Sequence, residues 1–422
     1  MNKIALIWKT KDLRMKILIV LGLLLVTRVL AHIPIPGIDA SQLQALFAQS
    51  QFLNLLDLFS GGGLTNFSIA MLGVGPYITA SIIMQLMTII MPSLAEMSKE
   101  GGEAGRAKIN QITRYLTIPL AFLQGFGTIR LLQSQGAGNL LSAFSPFQWF
   151  LVLLAVTSGT MLIMWLGEIM SEFDIGNGIS LIIFAGIVAR LPASLSFLKQ
   201  WYDPTKLPTV LGFLAVILIV IAAVVLVTEA QRNIPIAYAK RVRGNKLFGG
   251  INTHLPLRLN QSGVIPIIFA LSLLLIPQMA ATFFSTSSNA ILASSAQAVL
   301  GFMQNLTFYG IAYFILVFFF TYFYTAVTFD PHKISENLQK NGAFIPGVRP
   351  GNSTTEYLSK VITRITFVGA LFLGVIAVLP IVVQSLTGIQ SLALGGTALL
   401  IVVSVILDLT RRIDAQLSIR EY

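Results

Sequence analysis

Ten long apolar segments constrain this chain more than any other feature. They lie at roughly residues 15–32, 69–91, 112–132, 147–167, 178–198, 208–228, 262–284, 305–327, 364–386 and 392–409. A helix needs about 20 mainly apolar residues to cross the hydrocarbon core of a membrane, and in lipid its backbone groups must be bonded within the segment. Since hydrophobic residues make up 55% of the chain and charged residues only 11%, the sequence predicts an all-α, multi-pass membrane protein with ten transmembrane helices.

The distribution of basic residues predicts the orientation of these helices. With ten crossings, both termini and the loops after segments 2, 4, 6 and 8 lie on one side, and that side carries 23 of the 28 lysines and arginines. Cytoplasmic loops are enriched in these residues, so we expect the N- and C-termini to be cytoplasmic. The first apolar segment has no Ala-x-Ala-like cleavage site, and we expect it to be retained.

The phrase Gly-Val-x-Pro-x-Ile occurs at residues 73–78 and again at 263–268. When the chain is divided into halves at 1–200 and 201–422, each half has five apolar segments, and the phrase falls in the second segment of each. Because five is odd, the second half enters the membrane from the opposite side, which is the arrangement of an inverted repeat. We expect the glycine and proline of the phrase to let the two helices break and flex at these points.

A second pair of matching positions supports the repeat. Residues 176–179, with the sequence Gly-Asn-Gly-Ile, open the fifth segment, and residues 395–397, with the sequence Gly-Gly-Thr, open the tenth. A repeat of this kind predicts pseudo-symmetric halves with a functional site where they meet.

The sequence motifs of enzymes are missing. The chain has three widely separated histidines and no cysteine, and it has no His-Glu-x-x-His, Gly-x-Ser-x-Gly or phosphate-binding glycine loop. Glu168, Glu172 and Asp174 form an acidic cluster in a predicted cytoplasmic turn, where a solvated face is the simpler interpretation. We therefore predict no catalytic site, no metal site and no cofactor.

Two functions are compatible with an inverted repeat of five plus five helices. One is an ion-coupled secondary transporter. Such proteins keep ionisable groups in mid-membrane, whereas all seventeen acidic residues here fall outside the apolar segments or at their edges. Arg28 stands inside an otherwise apolar run, where its long side chain can extend to the interface or form a pair. The other function is a passive polypeptide conduit with an apolar constriction.

Branched aliphatic residues near the repeat positions are candidates for that constriction. Those of the first half form pairs spaced i, i+4, so that each pair shares one helix face. A ring of such residues excludes ions by dewetting and offers no fixed partner to a passing chain. The alternative is that these are ordinary packing residues. The candidates are Val74, Ile78, Ile179, Ile183, Ile268 and Ile401.

Three further stretches lie outside the apolar segments. Residues 53–68 combine an amphipathic run with three consecutive glycines, which fits a re-entrant or plugging element, with an ordinary external loop as the alternative. The loops at about 229–261 and 328–363 are long, basic and rich in glycine and proline. We expect rigid protruding hairpins in these two loops.

Several motifs of this chain resemble those of the bacterial SecY family of protein-conducting channels. The resemblance implies a clamshell of two five-helix halves around a central hourglass pore. In such channels unfolded secretory polypeptides cross the membrane, while signal sequences and transmembrane helices leave sideways into lipid. The resemblance covers about residues 15–412, and the matching motifs lie at 33–39, 59–62, 73–85, 164–168, 175–180, 254–257, 263–270 and 337–351.

The resemblance also implies roles for individual positions. The family's pore ring maps onto the six aliphatic residues named above. Segments 2 and 3 against segments 7 and 8 form its lateral gate, with Gln85 as a polar residue on a gate helix. The plug maps onto about residues 55–67, and its central residues are Leu58, Phe59, Ser60, Gly61, Gly62, Gly63 and Leu64.

The cytoplasmic loops after segments 6 and 8 correspond to the family's docking surface for the SecA motor ATPase or the ribosome. Arg349 occupies the key arginine position, and Lys240, Arg241 and Arg243 suit the phosphates of ribosomal RNA. The other implied partners are the SecE and SecG subunits, preproteins with signal sequences, and membrane lipid. The implied location is the bacterial plasma (inner) membrane.

Overall fold

Helices coincide with all ten predicted apolar segments. The structure is a computed structural model that describes residues 9–36, 57, 60–99, 101–133, 145–200, 207–238, 241–243, 246–248, 252–285, 289–387 and 390–421. The described helices are α1 (Lys11–Leu30), α2 (Gly75–Ile90), α3 (Pro92–Lys99), α4 (Gly102–Leu132), α5 (Pro146–Glu172), α6 (Gly178–Gln200), α7 (Leu207–Glu229), α8 (Ile265–Ser285), α9 (Ala290–Gln304), α10 (Leu306–Thr328), α11 (Pro331–Lys340), α12 (Asn352–Thr387) and α13 (Gln390–Glu421).

Length and composition allow several of these helices to cross a membrane. Among the described residues, α4, α5, α8, α10 with its continuation into α11, and α12 are each long and apolar enough. A sixth span results if α2 and α3 are counted together, although they meet at a bend of 106°. Shorter apolar stretches occur in α6, α7 and α9. This pattern is consistent with the predicted ten spans, for which α1 and α13 supply the first and the last.

Local capping residues begin two of the helices. The side chain of Ser145 accepts a hydrogen bond from the backbone of Gln148, whose side chain accepts one from the backbone of Ser145, and this reciprocal pair starts α5. The carboxylate of Asp330 accepts from the backbone N–H of His332 at 3.0 Å and of Lys333 at 3.3 Å at the start of α11. Such caps satisfy backbone donors that have no partner in the first helical turn.

The duplicated phrase has the same local conformation in both copies. Gly73 has a φ of +54° and Gly263 a φ of +61°, a left-handed conformation that glycine adopts without strain. Pro76 and Pro266 then lie in the first turns of α2 and α8, where the fixed φ of proline suits the helix. The expectation that the phrase breaks two helices is therefore wrong, because it begins them.

The second pair of matching positions does not share a conformation. Helix α6 begins at Gly178, after the Asn177 side chain accepts hydrogen bonds from the backbone N–H of Ile179 and Ser180. Residues 395–397 instead lie inside α13, which begins five residues earlier at Gln390. The local resemblance between these two positions was a wrong prediction.

A small sheet on the predicted cytoplasmic side is an exception to the all-α prediction. Its strands are β1 (Gln231–Tyr238), β4 (Asn252–Arg258) and β5 (Ala343–Phe344), in the order β4-β1-β5, and β2 (Arg241–Arg243) pairs with β3 (Lys246–Phe248). The antiparallel β1–β4 pair confirms the hairpin predicted in the first long loop. In the second long loop, α11, β5 and the start of α12 replace the predicted hairpin.

Candidate functional site

Five of the six predicted constriction residues are buried together in one apolar cluster. The exposed fractions are 0% for Val74, 6% for Ile78, 1% for Ile183, 5% for Ile268 and 1% for Ile401. Their positions are at the start of α2, on α6, on α8 and on α13, so four separate chain segments contribute to one cluster. A cluster that has only aliphatic side chains at these positions offers no hydrogen bond to water or to an ion.

Ile179 lies at the edge of this cluster. It is only partly buried and packs against the cluster from α6. A Cβ atom placed on Gly167 of α5 would lie 2.7 Å from the Cδ1 atom of Ile179. The Ile179 side chain therefore contacts the backbone of α5, which the i, i+4 pairing with Ile183 did not indicate.

The predicted plug is a buried run of turns ahead of α2. Leu58 and Phe59 lie outside the described residues, whereas residues 60–74 are described and end in the turn that begins α2. Leu64 and Phe67 are each 1% exposed and pack in a second apolar cluster. This burial favours the plugging element over an ordinary external loop, which would be exposed.

The three consecutive glycines are required by the backbone of this run. Gly61 and Gly62 have φ angles of +66° and +94°, which glycine adopts without a steric cost. A Cβ atom on Gly63 would lie 2.5 Å from the carbonyl oxygen of Ala70. The glycines thus let the run fold tightly back on itself, next to Ser60 and Leu64.

The plug lies on one side of the aliphatic cluster along α6. Arg190 of α6 donates a hydrogen bond to Thr65 of the plug at 3.0 Å. Arg190 follows Ile183 by seven residues, which is about 10 Å along a helix axis. Because α6 runs away from the predicted cytoplasmic side, this places the plug on the side of the cluster that is predicted to be the outer one.

Arg190 is a second charged residue inside a predicted span. The sequence-based prediction named only Arg28 as such a residue.

Gln85 of α2 has one satisfied and one unsatisfied polar atom. Its Nε2 atom lies 3.4 Å from the Ser81 hydroxyl, to which it donates. Its Oε1 atom is buried and has no hydrogen-bond partner among the described residues. Gln85 is thus placed on the predicted gate helix, but its described polar contact is to its own helix and not across the gate.

A cavity of about 40 Å³ lies between α2, α4 and α8, where the gate was predicted. Its polar lining includes Thr79, Gln124, Thr128 and Ser272, and Gln124 Nε2 donates to Thr79 Oγ1 at 3.1 Å. The cavity is large enough for a water molecule and has polar partners for it. These residues were not among the predicted gate residues, although Gln124 and Thr128 are polar at i, i+4 in an apolar segment.

Larger side chains close the same seam toward its predicted outer end. A Cβ atom on Gly127 of α4 would lie 2.6 Å from the Cε atom of Met279 of α8. The rings of Phe126 and Phe283 also meet edge to face, with centroids 6.1 Å apart. Two contacts therefore close the α4–α8 seam here. The flexible side chain of Met279 packs against Gly127, and Phe126 packs against Phe283.

The two predicted docking loops meet in the cytoplasmic sheet. Strand β5 belongs to the second loop and pairs with β1 of the first. Arg349 is exposed in a turn between Gly347 and Gly351, whose φ angles are +83° and +97°. The Thr354 hydroxyl donates to the Arg349 carbonyl oxygen at 2.9 Å, and Ile345 is 2% exposed in the cluster below. The turn is thus rigid while its arginine side chain faces solvent.

Two of the other predicted docking residues lie in a short strand between β1 and β4. Arg241 and Arg243 are in β2, which pairs with β3. Lys240 lies outside the described residues. The structure therefore places two of these three basic residues between β1 and β4, and β1 pairs with β5, the strand that precedes the Arg349 turn.

Ion pairs hold acidic residues on the same side of the molecule. Arg114 of α4 and Glu168 of α5 form an ion pair at 2.8 Å, so one member of the predicted acidic cluster joins two helices. On α11, Lys340 lies 2.7 Å from Glu336. This hydrogen bond and the positive charge of Lys340 lower the pKa of Glu336 below its usual value. Arg114 and Lys340 are thus paired with acidic residues. The side chain of Arg349 is exposed on the same predicted side of the molecule.

Comparisons with known protein sequences give one consistent family. The SecY family model matches residues 68–410. The protein translocase subunit SecY of Streptomyces scabiei is 42% identical over 429 aligned residues, which cover 98% of this chain and 97% of that protein. The protein of the same name from Mycobacterium tuberculosis strain H37Rv is also 42% identical, over 432 residues and with the same coverage.

Comparisons with solved structures give the same fold. A structure described as a protein conducting channel aligns with a TM-score of 0.63 at 19% identity and covers 94% of this chain and 91% of that one. A second, on the SecY plug domain that stabilises the closed state of the translocation channel, has a TM-score of 0.63 at 20% identity, over 93% and 90% of the two chains. Sec61 in the canine ribosome–channel complex has a TM-score of 0.59 at 19% identity, over 94% and 91%.

Proposed function

This chain belongs to the SecY family of protein-translocation channels, and we propose that its pore runs through the aliphatic cluster between α2, α6, α8 and α13. A channel of this kind is not an enzyme and breaks no bond. The observation that carries the proposal is the burial of five predicted ring residues from four chain segments in one apolar cluster, with the plug bonded to α6 beyond Ile183. The five residues are Val74, Ile78, Ile183, Ile268 and Ile401. Ile179 completes the proposed ring from its edge.

In this proposal the ring and the plug form two successive barriers. Aliphatic side chains exclude ions because a narrow apolar passage loses its water. They make no hydrogen bonds, so they can close around an unfolded polypeptide of any sequence. The plug supports the seal from the outer side when no polypeptide is present. The SecY plug structure similar to this chain is described as maintaining a membrane seal.

The proposed lateral gate is the seam between α2 and α4 on one side and α8 and α10 on the other. A signal sequence has an apolar stretch of about 7–15 residues, which would insert along this seam and replace its helix–helix contacts. A ligand shifts an equilibrium only by its different affinity for the two states. The contact of Gly127 with Met279 crosses this seam and would open at moderate cost. The hydrogen bond between Gln124 and Thr79 joins α4 to α2 on one side of the seam and would be kept.

The energy for transport would come from partners bound to the cytoplasmic sheet. Arg349 and the basic hairpin with Arg241, Arg243 and Lys240 suit an acidic or phosphate-rich surface, and we propose the SecA motor ATPase or the ribosome. SecE and SecG would be the accompanying subunits. The charge distribution supports a bacterial inner-membrane location with both termini in the cytoplasm.

The ion-coupled transporter has weaker support. Among the described residues, Asp57 is the only buried carboxylate, and it is already bonded to the plug backbone and paired with Arg190. A transported cation would have to displace these contacts. The relatives are named as protein translocase subunits and not as solute transporters.

The pore assignment is tested by placing amides in the ring. We expect Ile78→Asn combined with Ile268→Asn to raise the ion conductance of the idle channel about tenfold or more, because buried amides without partners destabilise the seal and attract water. Export of a preprotein should continue. Conductance is measured in planar bilayers with the purified complex, and export in proteoliposomes that contain the motor.

A matched control is available on the same two helices. Ile89 and Ile276 have exposed fractions of 57% and 43% and face away from the cluster. The double change Ile89→Asn and Ile276→Asn should leave the idle conductance unchanged. Equal conductance of the ring variant and the wild type would show that the pore does not pass between Ile78 and Ile268.

A further inference from the structure

Asp57 is a fully buried carboxylate at the beginning of the plug, with an exposed fraction of 0%. It accepts hydrogen bonds from the backbone N–H of Leu64 at 3.0 Å, the backbone N–H of Thr65 at 2.9 Å and the Ser60 hydroxyl at 2.9 Å. Asp57 also forms an ion pair with Arg190 of α6. One carboxylate therefore shapes the turn of the plug and joins it to a membrane helix.

Arg28 of α1 makes a second connection between the plug and α6. Its Nη1 atom donates to the carbonyl oxygen of Gly61 in the plug. Its Nη2 atom donates to the carbonyl oxygens of Ala185 and Gly186 in α6, each at 3.1 Å. A single guanidinium group thus bridges three parts of the structure that are distant in sequence.

Most of these contacts require the plug to be in place. If the plug moves away, Arg190 loses Asp57 and Thr65, and Arg28 loses Gly61 but keeps its two contacts with α6. A charge that loses its partner in a membrane protein raises the free energy of the state that contains it. Contacts that are present in one state and absent in the other shift the equilibrium toward the first.

We propose that Asp57, Arg190 and Arg28 form a latch that holds the plug closed and determines how readily the channel opens. This inference rests on the proposed function and adds the residues that regulate it. The Asp57–Arg190 pair is the part of the latch that releases. Because 31% of the Arg190 side chain is exposed, water can solvate the guanidinium group as the plug leaves, which keeps the cost of opening below that of a fully buried pair.

The latch is tested by removing one charge at a time. We expect Arg190→Gln and Asp57→Asn each to raise the idle ion conductance about tenfold, since each change removes the ion pair that joins the plug to α6. Each variant should also export a preprotein with a weakened signal sequence, because less apolar contact is then needed to open the channel.

The double variant separates a latch from a general loss of stability. Asp57→Asn combined with Arg190→Gln leaves no uncompensated charge, so its conductance should be lower than the product of the two single effects predicts. The exchanged pair, Asp57→Arg with Arg190→Asp, should recover part of the wild-type seal. Arg106→Gln is the control, because Arg106 is an exposed arginine of α4 at its predicted cytoplasmic end. The amount of each variant in the membrane is measured alongside.

The outcomes are distinct. The latch is overturned if the single variants accumulate normally and have wild-type conductance and wild-type signal selection. It is also overturned if the rise in conductance of the double variant equals the product of the two single rises. A variant in which residues 57–65 are replaced by a short linker is included as a reference. If neither that reference nor the ring variant conducts ions, the pore assignment fails and the latch fails with it. If they conduct and the single variants do not, only the latch fails.

Discussion

Gly61 of the plug and Gly186 of α6 are so close that a side chain on α6 would meet the plug backbone. A Cβ atom on Gly186 would lie 2.8 Å from the Cα atom of Gly61. Gly61 itself has a φ of +66°, which other residues adopt only with strain. The obstacle is main chain on both sides, so no side-chain rotation can relieve it. The plug can therefore pack against α6 only because both positions are glycine and have no side chain.

The change Gly186→Ala should lift the plug from this seat. Overpacking of this kind costs about 1–3 kcal/mol, and the same difference between two states changes their ratio about 5- to 150-fold. We expect a rise in idle ion conductance within that range, measured in planar bilayers. The helix should be retained because alanine favours α-helix over glycine.

Gly22→Ala provides the comparison for this prediction. Gly22 lies in α1, and a Cβ atom placed there has nothing within 4 Å. The change should leave the conductance at the wild-type level. If Gly186→Ala behaves like Gly22→Ala, the plug does not rest on α6 in the closed channel.

At the scale of elements, the cytoplasmic sheet makes one surface from two loops. Strand β5 pairs with β1 through Ala237 and Phe344, although the two predicted membrane-spanning helices α8 and α10 lie between these residues in the sequence. The turn that contains Arg349 follows directly after β5, and the buried side chain of Ile345 holds it against the sheet. An arginine on such a rigid turn loses little conformational freedom when it binds a partner.

Arg349→Glu should therefore abolish motor-driven export while the protein still accumulates in the membrane. A reversed charge in a complementary interface costs several kcal/mol, so we expect the export rate to fall by at least about tenfold. Export is measured with purified motor, ATP and a preprotein in proteoliposomes. The idle ion conductance should not change, because the turn packs on the apolar cluster of the sheet, which contains none of the ring residues.

Lys333→Glu is the matched change for the docking prediction. Lys333 is exposed on α11 in the same cytoplasmic loop, and the change alters the net charge by the same amount as Arg349→Glu. Export by the Lys333 variant should stay close to the wild-type rate. An equal loss in both variants would mean that the general charge of the surface, and not Arg349, attracts the motor.

For the whole molecule, the α4–α8 seam is where the two proposed halves can part. Gly127 and Met279 face each other across it, and an added Cβ on Gly127 would be 3.8 Å from the Cβ of Met279. Cβ atoms joined by a disulfide are on average about 3.8 Å apart. The geometry at this point of the seam therefore suits a covalent link between the halves.

The pair Gly127→Cys and Met279→Cys should close the seam reversibly. The chain has no cysteine of its own, so oxidation can form only this disulfide within one chain. We expect oxidation to block the insertion of a signal sequence and therefore export, and a reductant to restore both. The measurement is export before oxidation, after oxidation and after reduction, with the fraction of linked chain determined by electrophoresis.

Each single cysteine variant is the control for that experiment, since it cannot form the intramolecular link. Its export should be the same under oxidising and reducing conditions. Full export by the fully oxidised double variant would show that the channel does not open between α4 and α8. The halves 1–200 and 201–422 would then not be the parts that move apart.

Much of the fold follows from the sequence because its causes are local. The length of each apolar segment predicts a helix, and the distribution of lysine and arginine predicts which end is cytoplasmic. The aliphatic pair of Val74 and Ile78 was identified from helix periodicity and lies in the central cluster. The same local approach was wrong for residues 395–397, where two glycines lie inside α13 because packing can override a weak helix propensity.

Segment length, the distribution of basic residues and the motifs were thus enough to predict a set of apolar helices with one basic side and to indicate the family. They did not predict what contacts the plug. Thr65 and Arg190 are separated by 125 residues and Thr79 and Gln124 by 45, and the partner of Asp57 is an arginine of α6. Such pairs form because helix packing brings distant side chains within hydrogen-bonding distance, and no local pattern of residues specifies that packing.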